Sequence, residues 1–242
     1  MNLLDNLAKS LREEKPRRIP TSHYPSSATL KTESGEVIGK CLRSLYYQWT
    51  DAPVTNPTAD TSIMRMSLGT FLHEAVIPRM AGDDFTIETE TPLRVKVEGL
   101  KNEISLRTDG IVKDKFGAKT GIEVKFTFGK GGTEIKKYGL TRKRDWLLQV
   151  LLYGKLTGIK DWQIVTIDFP SLYRAIFYLE VGEDHIAVNN EPIMDISYSG
   201  IIQRWAELES HLDNKTVPER DFDKEKNWQC KFCQFTDHCY AG

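Results

Sequence analysis

Apolar positions recur along this chain with a period that changes several times, and each change predicts a new element. Residues 3–14 carry a helical spacing, which Pro16, Pro20 and Pro25 then interrupt. ATLKTESGEVIGK predicts a hairpin turning at Ser34-Gly35. CLRSLYYQW predicts a helix that stops before the polar DAPVTNPT. Residues 60–80 predict the first long helix, with Ile63, Met66, Phe71 and Ile77 along it and Pro78 kinking or ending it. Three β-rich runs follow: FTIETETPLRVKV, EISLRTDGIVKD and KTGIEVKFTF, with DKFGA as the turn between the last two. GKGGTEIKKYGLTRKR reads as a Gly-rich basic loop, and DWLLQVLLYGKLTG as a buried helix closed by Gly. WQIVTIDF and YRAIFYLEV are two more strands, and residues 195–213 form the last helix before a Cys-bearing tail. Helix, three strands, helix, two strands, helix is an order that favours an α/β fold, a mixed sheet flanked by helices.

Composition narrows the class. Of the 242 residues, 40% are hydrophobic and 28% charged, which suffices for a packed core. The formal net charge is −1, so a nucleic-acid site would have to be a local patch. No apolar run approaches about eighteen residues, so no membrane span is expected. MNLLDNLAKSLREEK lacks the apolar centre of a signal peptide. These readings point to the cytoplasm (the host cell's, if the chain is phage-encoded), where structural disulfides are rare. Four cysteines in such a compartment point to metal.

The most informative stretch is TDGIVKDKFGAKTGIEVKFTF. Strand side chains alternate, so Glu123 and Lys125 share one face while Ile122, Val124 and Phe126 share the other. A short hairpin can bring Asp109 beside Glu123. Two carboxylates on adjacent strands make a hard oxygen site suited to Mg²⁺. The plain alternative is an exposed strand with surface charges. His73 lies in the first long helix, and Gln149 and Tyr153 stand one helical turn apart in QVLLY. Taken singly, His73 also reads as a structural histidine and Tyr153 as core.

In order, His73, Asp109-Gly110, Glu123-x-Lys125 and Gln149-x3-Tyr153 resemble the PD-(D/E)XK nuclease superfamily, and within it the RecB-type domains. The resemblance covers roughly residues 41–239. It implies a restriction-endonuclease-like fold and a metal-dependent deoxyribonuclease. It implies that His73, Asp109, Glu123 and the carbonyl of Val124 hold Mg²⁺ or Mn²⁺, and that Lys125 is catalytic beside Asp109 and Glu123. It places Gln149 and Tyr153 near the DNA strand. The Pro that precedes the family's first acid is replaced by Thr108, at a position that varies in the superfamily.

Between these motifs, Lys130, Lys136, Lys137, Arg142, Lys143 and Arg144 face a single acid, Glu134. If the flanking elements border a metal site, this loop rims it and its cations meet phosphates. Gly129, Gly131 and Gly132 would let the loop close over a strand, and Tyr138 could stack on a base. A solvated loop is the plain alternative.

Cys41, Cys230, Cys233 and Cys239 supply four thiolates, which suit a tetrahedral zinc or an iron–sulfur cluster. One distant cysteine before the core and three after it resemble the iron–sulfur staple of some RecB-type nucleases. The CRISPR-associated nuclease that trims spacer precursors is among them, and C-L-R-S-L-Y-Y at Cys41 is similar to its C-x-R-x-x-Y start. The resemblance implies a structural 4Fe–4S cluster that joins the N- and C-terminal segments, with zinc less favoured and His238 a substitute ligand in the zinc case. Arg43 and Tyr47, one turn apart, read equally as DNA contacts or as packing on the tail.

The expectation is one nuclease domain over 1–242: an N-terminal segment 1–58, a core 59–182 and a C-terminal part 183–242. Its activity would be that of an exonuclease on single-stranded DNA or DNA ends, alone or within a larger recombination or adaptation complex. A non-cleaving DNA-binding or assembly subunit is the alternative.

Overall fold

A computed structural model describes residues 9–13, 17–89, 92–169, 171–225 and 227–241. Residues 9–13 are helical, and the rest of the helix expected over 3–14 lies outside the described residues. The chain divides into two compact units. One comprises Ser22–Lys40 and His73–Glu207; the other comprises the described residues of Met1–Thr21, Cys41–Leu72 and Leu208–Gly242.

The first unit opens with a hairpin, β1 (Thr29–Lys31) and β2 (Val37–Gly39), paired antiparallel. Gly35 sits at its turn with φ +83°, a value only glycine adopts freely. Nine further strands follow among the described residues. They are β3 (Phe85–Thr89), β4 (Pro92–Val95), β5 (Ile104–Arg107), β6 (Gly110–Asp114), β7 (Lys119–Phe128), β8 (Asp161–Phe169), β9 (Arg174–Val181), β10 (Ile186–Val188) and β11 (Glu191–Ile193). Seven of them form one sheet in the order β11-β10-β9-β8-β7-β6-β3. Only β7 and β8 run parallel, so the sheet is mixed. With its flanking helices this is the restriction-endonuclease-like α/β architecture expected from the sequence.

Two of the expected strands are each two strands. FTIETETPLRVKV divides into β3 and β4, and EISLRTDGIVKD into β5 and β6. β4 and β5 pair with each other as a separate inner hairpin, while β3 pairs with β6 in the main sheet. The turn DKFGA forms as expected, with Asp114 Oδ1 accepting the backbone N–H groups of Phe116 and Ala118 at 2.8 Å. A parallel neighbour requires a crossover. Here it is made by α-helical Lys130–Tyr138, a 3₁₀ turn at Gly139–Arg142 and a helix at Arg144–Thr157. The basic loop is therefore mostly helix. Its glycines did not keep it open because Gly132 and Ile135, one turn apart, bury against the fold.

Chain order now gives labels to the helices. They are α1 (Leu42–Trp49), α2 (Asp60–Val76), α3 (Lys130–Tyr138), α4 (Arg144–Thr157), α5 (Tyr198–Asp213), α6 (Trp228–Lys231) and α7 (Thr236–Tyr240). α2 gives way to a 3₁₀ turn, Ile77–Met80, at Pro78 as expected. Met66 and Phe71 on α2 are 59% and 63% exposed, so the apolar spacing there does not mark a core face. α4 buries every residue from Leu147 to Gly154 and ends at Gly158 in the left-handed region, φ +75°. Gly154 is required by closeness, since a Cβ there would lie 2.6 Å from Val181 Cγ2.

The sheet's period of two now has consequences. Ile122 and Val124 enter an apolar cluster with Ile77 and Val165, with Phe126 packed beside them. The alternate residues point to the larger core that holds α4, Trp162 and Trp205. The second unit has its own cluster, in which Leu42, Leu45, Tyr46 and Tyr47 of α1 pack with Leu208 and Phe235. Cys41 and the Cys-bearing tail thus belong to one unit.

Candidate active site

β6 stops pairing with β7 at Gly110, opposite Ile122. Continuing that register would set Asp109 opposite Glu123. Instead the edge of β7 opens, and Asp109 Oδ2 accepts the freed Val124 N–H at 2.7 Å. Asp109 Oδ1 lies 3.4 Å from His73 Nδ1, and the His73 ring meets Phe126 edge-on at 5.2 Å. β8 remains paired to β7 along the other side.

Glu123 is 2% exposed, so the reading of an exposed strand with surface charges does not hold. Its Oε1 meets Lys125 Nζ at 2.5 Å, and its Oε2 is buried with no hydrogen-bond partner among the described residues. Lys125 also donates to Gln149 Oε1 at 2.8 Å. Gln149 Nε2 donates to Tyr153 OH at 2.7 Å, and that hydroxyl donates to the Arg107 carbonyl at 3.2 Å. A single chain of hydrogen bonds therefore runs from the Glu-x-Lys strand through α4 to the end of β5. Trp162 stacks on Tyr153 at 5.5 Å and closes the inner side.

Electrostatics follow from burial. The Glu123 carboxyl is pushed up to about 7 by desolvation, with the Asp109 charge adding and Lys125 opposing. Lys125 is also raised: burial disfavours its charge, but the Glu123 carboxylate and the hydrogen bond between them outweigh that. The two directions pull the shared proton opposite ways. Burial governs Glu123, because desolvation is the largest influence on it and its Oε2 meets no hydrogen-bond donor among the described residues. Tyr153 is raised by burial and then by Glu123, so it acts as a neutral hydroxyl.

The expected metal ligands are neighbours, yet among the described residues no group of three or more His, Cys, Asp or Glu side chains is placed to hold a metal. Lys125 pairs with one Glu123 oxygen, His73 lies beside Asp109 Oδ1, and the Val124 N–H donates to Asp109 Oδ2. The partnerless Glu123 Oε2 and the hard oxygen donors beside it nonetheless fit a divalent cation in kind.

α3 is fixed at one point. Asp168, at the end of β8, accepts from Thr127 Oγ1 at 3.0 Å and from Ser171 Oγ at 2.5 Å. Gly132 of α3 lies so close that a Cβ would fall 1.9 Å from Asp168 Oδ1. Lys136, Lys137 and Arg142 are exposed. Lys136 lies over Tyr173 at 5.6 Å; Lys137 and Arg142 lie over Tyr138 at 5.0 and 4.0 Å. Lys143 pairs with Glu134 at 3.0 Å, and Arg144 with Glu36 at 2.8 Å and with Asp195. Those last two cations of the expected patch are thus already engaged.

In the smaller unit all four cysteines are free thiols. Cys41 caps α1, Cys233 Sγ lies 3.8 Å from Ser44 Oγ, and Cys239 Sγ lies 3.8 Å from Arg43 Nη1. Cys230 contacts Tyr240 OH at 3.9 Å; its thiol is raised by burial, with Cys233 and Cys239 adding. Burial, then Asp221, pushes Cys41 up to about 11. Among the described residues the thiols form no metal-holding group. Arg43 donates to the Pro218 carbonyl at 2.6 Å, and Tyr47 is buried beside Phe235 and His238. Of their two readings, packing on the tail is what these contacts describe.

Sequence reasoning passed over Trp146, Asp168, Thr127 and Ser171. Trp146 was detectable: positions 146, 149 and 153 fall on one helical face. Asp168 gave no signal, since its partners come from three separate elements.

No protein-family model matches the chain, and no curated protein matches it. Solved structures do. The crystal structure of SSO0001 is similar at a TM-score of 0.57 and 20% identity, over 99% of this chain and 96% of that one. An alkaline exonuclease, LHK-Exo from Laribacter hongkongensis, is similar at a TM-score of 0.45 and 17% identity, over 72% of this chain and 80% of that one. Its complex with dAMP gives 0.44 and 16%, over 72% and 78%. At these identities the first likeness shows a shared fold. No helix among the described residues is long and apolar enough to cross a membrane.

Proposed function

We propose that this chain is a divalent-metal-dependent deoxyribonuclease, an exonuclease on single-stranded DNA or DNA ends. The observation that carries the reading is Glu123: a buried carboxylate with one oxygen that meets no hydrogen-bond donor among the described residues, at the opened edge of a strand, beside Asp109 and Lys125. Lys125 compensates one oxygen only, and a buried polar atom left without a donor is costly, so the arrangement is understood best as a site completed by a cation. Asp109, Glu123, His73 and the Val124 carbonyl would hold Mg²⁺ or Mn²⁺. The ion supplies charge stabilisation at the phosphorus and a more acidic water. Lys125 keeps its ammonium at the reacting phosphate, and Gln149 fixes the lysine's position through the 2.8 Å hydrogen bond. Exposed Lys136, Lys137 and Arg142 bind phosphates along the strand.

Four free thiols within one unit, Cys41, Cys230, Cys233 and Cys239, are in kind the ligand set of a 4Fe–4S cluster. That cluster would be structural, and zinc is the alternative. The short Lys125–Glu123 ion pair favours a second reading, a DNA-binding or assembly subunit that does not cleave. Digestion of end-labelled single-stranded DNA with Mn²⁺, with and without chelator, separates the two. Chelator-sensitive shortening supports the nuclease, and binding without shortening under every divalent metal overturns it.

A further inference from the structure

Lys125 carries a third contact besides Glu123 and Gln149. Its Nζ lies 5.7 Å from the centre of the Trp146 ring. A lysine ammonium has three N–H donors on a flexible four-carbon stem, and fixing that stem costs rotamer entropy. Two hydrogen bonds hold the nitrogen at a point; the indole face limits how the ammonium approaches it. Tryptophan is the strongest aromatic partner for a cation within about 6 Å.

We propose that Trp146 is a positioning residue for Lys125, its indole forming the third wall of the pocket that Glu123 and Gln149 complete. The proposal rests on the reading of Lys125 as the catalytic lysine. Its placement is helical: Trp146, Gln149 and Tyr153 line one face of α4, so the helix that supplies the hydrogen bond also supplies the ring. Trp146 is itself held, since its body packs against the main core. Lys143 Nζ lies 5.9 Å from the same ring while it pairs with Glu134 at 3.0 Å. The indole therefore meets the site's lysine and the inner end of the basic segment. A core-filling side chain has no need of two ammonium neighbours.

Fluorinated tryptophans test this, because they keep the indole's shape while progressively weakening its negative face. They are placed at position 146 in the full chain, beside W146F and W146L. Turnover is measured on labelled single-stranded DNA with Mn²⁺, and the Lys125 ammonium is followed by NMR with ¹⁵N-labelled lysine. The expected result is a graded fall in kcat, roughly three- to tenfold at the highest fluorination, with KM nearly constant. W146F should retain more activity than W146L, and the Lys125 signal should broaden in step. Flat kcat across the series, or equal activity of W146F and W146L, overturns the proposal. If the unaltered protein cleaves nothing, the nuclease reading fails separately. The Lys125 signal then still decides: broadening with fluorination supports the positioning role and an unchanged signal overturns it.

Discussion

Asp109 completes the backbone of a strand it does not belong to: its Oδ2 accepts the Val124 N–H at 2.7 Å where β6 leaves β7. One carboxylate thus has two tasks, closing a strand edge and facing His73. The tasks separate by substitution. Asp109→Ala leaves a backbone donor without its partner and should cost about 1–3 kcal/mol. Asp109→Asn keeps an acceptor and should melt near the parent temperature. Both should lose cleavage, and thermal melts beside a digestion assay check the split.

Glu123 makes stability depend on pH in a definite direction. Its ordinary value is 4.5, and burial holds it up to about 7 in the fold. The folded state therefore binds the proton more tightly. The contribution to stability is fully present below about 4.5 and is lost as pH rises through about 7. Lys125 is raised above 10.5, so its contribution changes only in alkali and adds no slope in this window. Metal-free protein should lose stability between pH 5 and 7, and Glu123→Gln should flatten that slope in urea titrations. Mg²⁺ or Mn²⁺ binding below pH 7 should release a proton, seen as buffer-dependent heat in calorimetry.

The close approach of Gly132 to Asp168 predicts a steric effect. An alanine Cβ would displace the carboxylate from Thr127 and Ser171. Gly132→Ala should destabilise by about 1–3 kcal/mol. Because α3 carries Lys136 and Lys137, the same change should weaken DNA binding, measured by fluorescence anisotropy.

Exposed Lys136, Lys137 and Arg142 should act through charge alone. Replacing all three with Ala should weaken DNA binding at every sequence tested. It should also reduce the dependence of affinity on salt, by roughly 0.7 in log–log slope for each single-strand phosphate that the protein no longer neutralises. Arg144→Ala, which breaks the ion pairs to Glu36 and Asp195, should change stability more than the salt slope.

The thiol reading has its own outcome. Cys230→Ser should lower iron content and thermal stability together in anaerobically purified protein, whereas Lys125→Ala should leave both intact. Zinc without iron by elemental analysis would replace the cluster with a tetrahedral zinc site.

The sequence carried the longest described strand and the buried helix because each obeys one period. KTGIEVKFTF is β7 to the residue, and Gln149 and Tyr153 point together because four residues make one turn. It misread the basic segment because three glycines suggest an open loop, while the burial of Gly132 and Ile135 is a tertiary effect. The β10–β11 hairpin escaped because three-residue strands show no period; Asn189 and Asn190, both at positive φ, were the available sign. The double strands also escaped, since β4 and β5 nest inside β3 and β6 and no local signal records nesting. Asp109, Glu123 and Lys125 were legible as types. The partnerless Glu123 oxygen and the indole over Lys125 exist only in three dimensions.

The most direct measurement is the cleavage of end-labelled single-stranded DNA in Mn²⁺ by the parent chain and by Lys125→Ala, prepared side by side with matched melting curves and DNA affinity. The account expects the parent to shorten the strand, chelator to stop it, and Lys125→Ala to bind DNA while cleaving at least about 100-fold more slowly. Equal cleavage by both proteins, or none by either under any divalent metal, would contradict it.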